Sequence, residues 1–436
     1  MWRLLTPGLK LKRYLVLVAI GFMAMGGALL LVVHPIASHP ILKWILVWGG
    51  LLFVLWGTVR VSQTFTEAIG ADRWAGLLYS RRHLARGPRI VALGGGTGLP
   101  SVLRGLKNYT SNLTAIVTVA DDGGSSGRLR GDLGMLPPGD IRNCMIALAD
   151  TEPLMEQLFQ YRFESGELAG HNFGNLFLAA MEQVVGDFVT GLRESSRVLA
   201  VRGMVLPATL DNVTLKARLS DGQVVQGESR IGHAPLPIEK IWMDPPDATP
   251  LAEAIDAIKA ADMIVMGPGS LYTSVIPNLL VAPIAEAIRH SAGLKVYVSN
   301  VMTQPGETDH FSVTDHVSAL EKQVGPGLIQ VVLVNNELIP DRVRERYRQE
   351  GAEPVSIPTD NHLGSILLVA ERLLSVDTVI RHDPEKLARA LLRILLRLKP
   401  KWAEGKIGDA LWLEARLRVK RPGFPDGVTP DRSKRS

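Results

Sequence analysis

Two long apolar runs lie near the start of the sequence. Residues 15–33 carry no charge, and residues 41–59 carry a single one, Lys43 near the start of the run. As helices rising about 1.5 Å per residue, each run would span about 28 Å, close to the thickness of a bilayer core. The pattern predicts a transmembrane hairpin within residues 1–60. A signal peptide is the competing interpretation of the first run, and a pair of buried core helices is that of both runs.

Basic residues flank the two runs and are absent from the connector between them. By the positive-inside rule, both ends of the hairpin should be cytoplasmic. We therefore expect a multi-pass protein of the cell membrane, held through residues 15–33 and 41–59, with its soluble domain in the cytoplasm. Residues 61–88 predict a juxtamembrane helix or linker that ends at Gly87-Pro88.

From residue 89 onwards, short β-branched runs alternate with helical periodicity. Several of the predicted strands end in a polar or glycine-rich loop and lead into a helix. The expected fold class is α/β, with a Rossmann-like, doubly wound and mostly parallel sheet over residues 89–400. Strand-like segments around Asp221-Gly222 predict a small antiparallel β insert at about 197–243. Asp383-Pro384 begins a strongly amphipathic helix, and residues 401–436 are expected to form a C-terminal helix and a basic tail.

The composition narrows the class of partner. The net charge is +5, but the basic excess lies at the two ends of the chain, so the body is near neutral and we expect no nucleic-acid partner. The single cysteine, Cys144, excludes an intrachain disulfide and a four-thiolate metal site, and suits a reducing compartment. The sequence leaves the oligomeric state open, a homodimer included.

Two glycine-rich turns are candidate anion sites. The first, Gly94-Gly-Gly-Thr-Gly98, follows a predicted strand and precedes a helical pattern, so backbone N–H groups and a helix N-terminus could face a phosphate. No Gly-Lys-Ser/Thr follows, which excludes a Walker A loop. The second turn, residues 267–274, follows another strand in the same way. For the first turn, a tight strand–helix turn without a ligand is the alternative.

A third loop combines acidic, small and basic residues. Asp121 and Asp122 end a predicted strand, and Arg128 follows after glycines and serines. Carboxylates in this place can hold Mg²⁺ or a ribose hydroxyl, and the arginine can pair with phosphate. Asp121 and Asp122 are therefore the candidate catalytic and metal-binding residues. The alternative is a solvated loop.

Polar residues before another helix allow two interpretations. Asn172 could simply cap the helix, or His171 and Asn175 could contact a ligand. The spacing of His310, His316 and His362 fits no metal site, so we expect each of them to be a surface or capping residue. No nucleophile-elbow motif is present, so the sequence does not indicate nucleophilic catalysis.

Six ordered motifs together resemble a known family. They begin at Gly94 (GGGTG), Asp121 (DDGGSSGR), Pro137 (PPGDIRN), His171 (HNFGN), Gly267 (GPGSLYTS) and Met302 (MTQPGET). In this combination the chain resembles the gluconeogenesis factor family (YvcK-type), which is grouped with the CofD-type 2-phospho-lactate transferases of deazaflavin cofactor synthesis. The resemblance covers roughly residues 88–400 and leaves out the apolar hairpin.

The resemblance implies a regulator that binds a UDP-sugar, such as UDP-N-acetylglucosamine, and controls carbon flow to cell-envelope synthesis. The alternative it implies is a phospholactyl transferase that acts on a nucleotide diphospho-lactate with Mg²⁺. Whether the protein is an enzyme therefore stays open. The ligand-binding residues carried over from the family are Gly95, Gly96, Thr97 and Gly98 for a diphosphate, Gly267, Gly269, Ser270 and Thr273 for phosphate or nucleotide, Asp121, Asp122, Gly124, Ser125 and Arg128 for a metal, an acceptor hydroxyl or a phosphate, and Asn172, Asn175 and Asn300 for sugar or base.

Two other classes share parts of this pattern. Tubulin-like GTPases also contain a Gly-Gly-Gly-Thr-Gly loop, but here Leu99-Pro100 follows it where those proteins need small residues. A dinucleotide-dependent dehydrogenase would use Asp121 for a ribose, but no close third glycine follows Gly98.

Overall fold

The computed structural model describes residues 11–33, 40–69, 83–150, 153–376, 379–399 and 407–418. The chain divides into two compact units, residues 1–82 and residues 83–436. The expected basic tail from Lys420 lies outside the described residues, as do residues 70–82 of the predicted linker.

The first unit contains two helices, α1 (Leu11–Val33) and α2 (Pro40–Ile69). They touch through glycines, because a Cβ on Gly21 would lie 2.7 Å from the carbonyl oxygen of Gly50 and a Cβ on Gly50 would lie 2.7 Å from that of Gly21. Large apolar side chains such as Phe22, Met23 and Trp44 are 60–69% exposed. In the part of the chain that the structure describes, no single helix is long and apolar enough to cross a membrane. The two helices Leu271–Leu280 and Ala282–His290, which meet at a bend, reach the required length and apolar character only when taken together.

The second unit is built on an eight-stranded sheet with the order β10-β11-β9-β8-β7-β1-β2-β3. All neighbouring strands are parallel except the pair β10–β11. The strands are β1 (Ile90–Gly94), β2 (Leu113–Val117), β3 (Met204–Pro207), β7 (Met263–Met266), β8 (Leu294–Val298), β9 (Val331–Asn335), β10 (His362–Leu363) and β11 (Ile366–Glu371). The predicted mixed α/β fold with a mostly parallel sheet is confirmed.

The central strands are buried along their whole length. Every residue of β1, β2, β7 and β8 is buried, as expected for parallel strands that are covered by helices on both faces.

The α-helices in the described residues of this unit are α3 (Gly98–Leu106), α4 (Gly124–Leu133), α5 (Gly139–Leu148), α6 (Pro153–Gln160), α7 (Phe173–Val185), α8 (Phe188–Val198), α9 (Glu228–Ile231), α10 (Ala252–Ala260), α11 (Ile276–Leu280), α12 (Ala282–His290), α13 (Val313–Val324), α14 (Asp341–Gln349), α15 (Pro384–Leu398) and α16 (Ile407–Arg418).

The antiparallel insert is shorter than the sequence predicts. Its strands are β4 (Thr214–Leu219), β5 (Val224–Gln226) and β6 (Ile238–Asp244), in the order β5-β4-β6. The assignment of residues 204–207 to the insert is wrong, because they form β3, which pairs parallel with β2 at the edge of the main sheet. The Asp221-Gly222 turn does connect β4 to β5, with Gly222 at a φ of 88°.

The C-terminal helices complete the core. Asp383 caps α15 by accepting a hydrogen bond of 2.8 Å from the backbone N–H of Lys386, as predicted. On α16, Trp412 stacks on the ring of His83 with ring centroids 5.1 Å apart, and Asp409 lies 2.9 Å from His83 Nδ1.

One of the predicted surface histidines is buried. His316 is fully enclosed, and its Nδ1 lies 2.9 Å from the carbonyl oxygen of Ser312 on the preceding turn of α13. The surface interpretation is therefore wrong for His316, because its ring packs edge-on against Phe311 in the core. His310 and His362 are exposed, as expected.

Candidate functional site

Two glycine-rich loops meet where the direction of strand addition reverses. The chain adds β2 and β3 on one side of β1, and β7, β8 and β9 on the other, so the carboxyl ends of β1 and β7 form the switch point of the sheet. A methyl group on Gly98 would overlap the carbonyl oxygen of Pro268, so the loops after β1 and β7 are in direct contact. Glycine at residue 98 permits this approach.

A cavity of 260 Å³ lies over these two loops. It is lined by Gly96, Thr97 and Gly98 after β1 and by Gly269, Ser270 and Asn300 after β7 and β8. Thr97 stands at the N-terminus of α3, and among the described residues no side chain caps this end. An uncapped helix start that faces a cavity presents N–H groups and a partial positive charge to an anion.

Side-chain amides fix the loops on the β8 side of the cavity. Asn300 Oδ1 accepts a hydrogen bond of 3.3 Å from Gly269 N, and Gln304 Nε2 donates one of 2.8 Å to Ser270 Oγ. Asn300 Nδ2 also donates a hydrogen bond of 3.4 Å to Gln304 Oε1. The network joins the loops after β7 and β8 into one rigid wall.

A turn of π-helix, Leu271–Val275, continues from this wall and is held by a buried carboxylate. Glu307 is 4% exposed, and its Oε1 accepts a hydrogen bond of 2.8 Å from Thr273 Oγ1 while its Oε2 accepts one of 3.2 Å from Tyr272 N. Burial raises the pKa of Glu307. Thr273 is itself buried, so its hydroxyl supports the turn from below the cavity.

A hairpin outside the sequence motifs contributes to the lining of the cavity. Its strands are β12 (Leu374–Val376) and β13 (Ile380–His382), and Arg381 and His382 line the cavity together with Tyr347 of α14. His382 is 8% exposed, and burial lowers its pKa to about 4. Its Nε2 has no hydrogen-bond partner among the described residues. A neutral imidazole that faces the cavity is thus ready to accept or donate one hydrogen bond.

A group of carboxylates lies behind the first glycine loop. Asp140 Oδ2 accepts a hydrogen bond of 2.7 Å from Gly96 N, so this side chain sets the shape of the loop. Burial raises the pKa of Asp140 to about 6, with a further contribution from the charge of Asp121. Burial and the charges of Asp121, Asp140, Glu307 and Asp122 raise the pKa of Glu228 to about 8. None of these five carboxylates has an Arg, Lys or His partner within 4.0 Å in the described part of the chain.

Asp122 joins the insert to the sheet. Its Oδ1 accepts a hydrogen bond of 2.9 Å from Ser229 N at the start of α9. Asp121 instead accepts from Gly123 N at 2.9 Å through Oδ1, and its Oδ2 lies 3.3 Å from where a Cβ on Gly139 would stand. Asp121 therefore faces α5, which carries Asp140, whereas Asp122 faces the insert.

The third group of predicted residues forms a hydrogen-bonded cluster. Asn172 caps α7 by accepting from Asn175 N at 3.2 Å, which bears out the capping interpretation. Asn175 Nδ2 donates to Ser125 Oγ at 3.2 Å, and Asn175 Oδ1 accepts from Arg142 Nη1 at 2.7 Å. Ser125, Asn172 and Asn175 are all buried.

The predicted site residues thus separate into three neighbouring groups. Those that line the cavity are Gly96, Thr97, Gly98, Gly269, Ser270 and Asn300. Gly95, Asp121 and Asp122 belong with the carboxylates, while Gly124, Ser125, Arg128, Asn172 and Asn175 lie around the start of α4 and α7. Gly267 continues β7 by donating to Leu93 O at 2.9 Å, and Thr273 is enclosed.

The composition of the carboxylate group suits a hard divalent cation. Among the described residues, no three His, Cys, Asp or Glu side chains are placed to hold a metal ion by themselves. Mg²⁺ is commonly bound by one or two carboxylates together with phosphate oxygens of a ligand. Asp121 and Asp140 supply such a pair, beside a glycine loop suited to phosphate, so the residues present fit this cation.

Sequence reasoning did not single out Asp140, Glu228, Glu307, Arg381 or His382. The position of Glu307 inside the Met302 motif was a usable signal, whereas its burial is visible only in the structure. No local signal marks His382, which lies far along the chain from the glycine loops.

Comparison with known proteins finds a matching family model, similar sequences and a similar solved structure. The family described as "2-phospho-L-lactate transferase CofD" matches residues 90–371. The gluconeogenesis factor of Bacillus subtilis is 50% identical over 311 residues, covering 71% of this chain and 98% of its own length. A relative from Clostridium acetobutylicum is 44% identical over 434 residues, covering 95% of this chain and 96% of its own. The crystal structure of a UPF0052 family member from Bacillus halodurans is 50% identical, covers 70% of this chain and 99% of its own, and superposes with a TM-score of 0.67.

Proposed function

Because this chain belongs to the CofD family and, within it, to the gluconeogenesis factors, we propose that its cavity binds a UDP-sugar, such as UDP-N-acetylglucosamine, and that the protein regulates carbon flow to cell-envelope synthesis. The observation that carries this proposal is the uncapped N-terminus of α3, which opens into a cavity lined by both glycine loops. The diphosphate would lie against this helix start.

The rest of the cavity supplies neutral and cationic contacts for a sugar nucleotide. Asn300, Gln304 and Ser270 offer amide and hydroxyl groups held in place by their own hydrogen bonds, which suits recognition of sugar or base. Arg381 can pair with a phosphate oxygen, and His382 Nε2 can bond a ligand hydroxyl. Such a site needs no covalent nucleophile, and a sensor requires only the binding.

Calorimetric titration tests the proposal. The full-length chain in mild detergent is titrated with UDP-N-acetylglucosamine, with GDP and NAD as comparison ligands. We expect selective micromolar binding of the UDP-sugar. No heat of binding at millimolar ligand would overturn the proposal.

A pair of threonine variants locates the binding. Thr97→Ala removes the exposed hydroxyl at the start of α3 and should weaken binding about tenfold, the effect of one lost charge-assisted hydrogen bond. Thr214→Ala on β4 is the matched control and should bind like wild type. Equal affinities of the two variants for the UDP-sugar would show that the diphosphate does not bind at the loop before α3.

The carboxylate group favours a second candidate, phospholactyl transfer from a nucleotide diphospho-lactate. Mg²⁺ bound at Asp121 and Asp140 would neutralise charge on the diphosphate. Glu228, which keeps its proton to about pH 8, could hold a proton beside that site. The assay is product formation with a deazaflavin acceptor and Mg²⁺. Absence of turnover in wild type excludes this candidate, and loss of turnover in Asp140→Asn would support it.

We also propose that α1 and α2 hold the protein at the cell membrane with both ends of the chain in the cytoplasm. The uncharged run at 15–33 and the exposed apolar side chains of both helices support the proposal. Deletion of residues 1–60 should release the protein from the membrane fraction of lysed cells. An unchanged distribution would refute the anchor.

A further inference from the structure

A group of basic side chains lies near the carboxylates and outside the lining of the cavity over the glycine loops. Its members, called here the basic cluster, are Arg128, Arg142, Arg162 and His171. They come from α4, from α5 and from the loop between α6 and α7. Arg162 Nη1 donates to Gly170 O at 2.6 Å, and Arg128 Nη1 donates to the neighbouring Ala169 O at 3.0 Å. Both guanidinium groups therefore meet at one turn of this loop.

Arg142 lies deeper, at the base of the cluster. Its Nη1 and Nη2 donate to the side chains of Asn175 and Asn143 at 2.7 and 2.8 Å. Burial, followed by the charge of Arg162, lowers the pKa of Arg142 to about 10. The nearest negative charges that act on it are Asp140 and Asp121, and neither comes within 4.0 Å.

The acceptors around the cluster are all neutral. Within the described residues, Arg128, Arg142 and Arg162 make no ion pair with any carboxylate within 4.0 Å. Arg142 Nε and His171 Nδ1 are buried and have no hydrogen-bond partner there. The N-terminus of α7 begins beside Asn175 and adds positive potential. Arg162 repels Arg142, and the charges of Asp140 and Asp121 offset this repulsion only from beyond 4.0 Å, so an anion bound beside the guanidinium groups would relieve it.

We propose that the basic cluster is a second ligand site, which takes the phosphate group of a small phosphate monoester. Guanidinium groups that converge from three elements match the three outer oxygens of a phosphate better than the two coplanar oxygens of a carboxylate. A small ligand suits the cluster because Arg142 is half-buried whereas Arg128 and Arg162 are exposed. Exposed Glu164 and Glu167 on the same loop disfavour an anionic membrane surface as the partner. The inference does not depend on the UDP-sugar proposal.

Titration with simple anions tests the second site. The full-length chain in mild detergent is titrated with inorganic phosphate, with glycerol 3-phosphate and with acetate. We expect both phosphate compounds to bind and acetate not to bind. No binding of glycerol 3-phosphate at about 10 mM would overturn the proposal, as would binding of acetate with equal affinity.

Two exposed arginines allow the site to be located without disturbing the core. Arg162→Gln and Arg128→Gln should each weaken glycerol 3-phosphate binding about tenfold. Arg344→Gln, on α14 where Arg344 pairs with Asp341 at 2.6 Å, is the matched control and should not. Unchanged affinity in both test variants would overturn the proposal, as would weakening by Thr97→Ala alone, because that result would place the phosphate on the α3 loop.

The same titrations separate the two proposals. Binding of glycerol 3-phosphate but of no UDP-sugar by the wild-type protein would refute the UDP-sugar proposal and would still support the second site. Equal weakening of both ligands by Arg162→Gln would mean that they share one site, and would overturn the second site.

Discussion

The ionisation of Glu228 makes the stability of the second unit depend on pH in a calculable way. The pKa of Glu228 rises from 4.5 to about 8 on folding, because the carboxyl is buried among other acids. A raised pKa means that the folded state holds the proton more tightly than the unfolded state. The stabilisation is therefore present in full below pH 4.5 and is lost as the pH rises through about 8.

The ionisation of Glu228 contributes to the pH dependence of stability between pH 6 and pH 8. Unfolded Glu228 is ionised there, whereas the folded side chain keeps nearly all of its proton at pH 6 and about half at pH 8. Stability therefore falls by at most ~1.4 kcal/mol per pH unit, and by ~2 kcal/mol over the interval. Asp140, with a pKa of about 6, has made most of its contribution below this range. The low pKa of His382, about 4, acts in the opposite direction. Comparison of a variant with wild type cancels its effect.

Glu228→Gln is the perturbation, because glutamine has nearly the same shape as the protonated acid. Urea unfolding of the full-length chain, followed by far-UV circular dichroism in the same detergent at pH 6, 7 and 8, gives the free energy of unfolding. The advantage of Glu228→Gln over wild type should grow by ~2 kcal/mol from pH 6 to pH 8. Glu239→Gln on β6 removes the exposed ion-pair partner of Arg218, and its free energy of unfolding should change with pH as that of wild type does. Parallel curves for Glu228→Gln and wild type would refute the reasoning.

Three further changes have definite expected outcomes. Gly98→Ala would place a methyl group on the carbonyl oxygen of Pro268 and should destabilise the second unit by ~2 kcal/mol or more in urea unfolding, whereas Gly131→Ala on α4, with open space around its Cβ position, should not destabilise it. Asp383→Ala removes the N-cap of α15 and should cost ~1 kcal/mol in the same assay; no loss would mean that the cap is dispensable. Asp122→Ala should speed amide hydrogen exchange in residues 227–232, and unchanged exchange would show that the insert is held by other contacts.

The sheet and its glycine loops could be predicted from the sequence because their signals are local. The run from Ile90 to Gly94 is fully buried, so it reads as a continuous apolar stretch, and the glycines that follow mark the turn into α3. The cap at Asp383 is local in the same sense. Parallel pairing brings the ends of such strands together, which placed Gly98 and Gly269 in one cavity.

Pairing partners and burial at a distance were beyond that reasoning. Met204–Pro207 is apolar and would suit either sheet, and only its pairing with β2 assigns it to the main one. The segment at Glu228 reads as a continued strand, yet it forms a short helix that turns the carboxylate toward Asp121 and Asp140. His382 reaches the cavity because its hairpin folds back over the glycine loops, and nothing near it in the chain indicates this.

The most direct test of the central claim is the calorimetric titration of the full-length protein with UDP-N-acetylglucosamine, with and without Mg²⁺, beside GDP. We predict selective micromolar binding of the UDP-sugar that Thr97→Ala weakens about tenfold and Thr214→Ala leaves unchanged. No binding of the UDP-sugar, together with tight Mg²⁺-dependent binding of GDP, would contradict the sensor and favour the transferase.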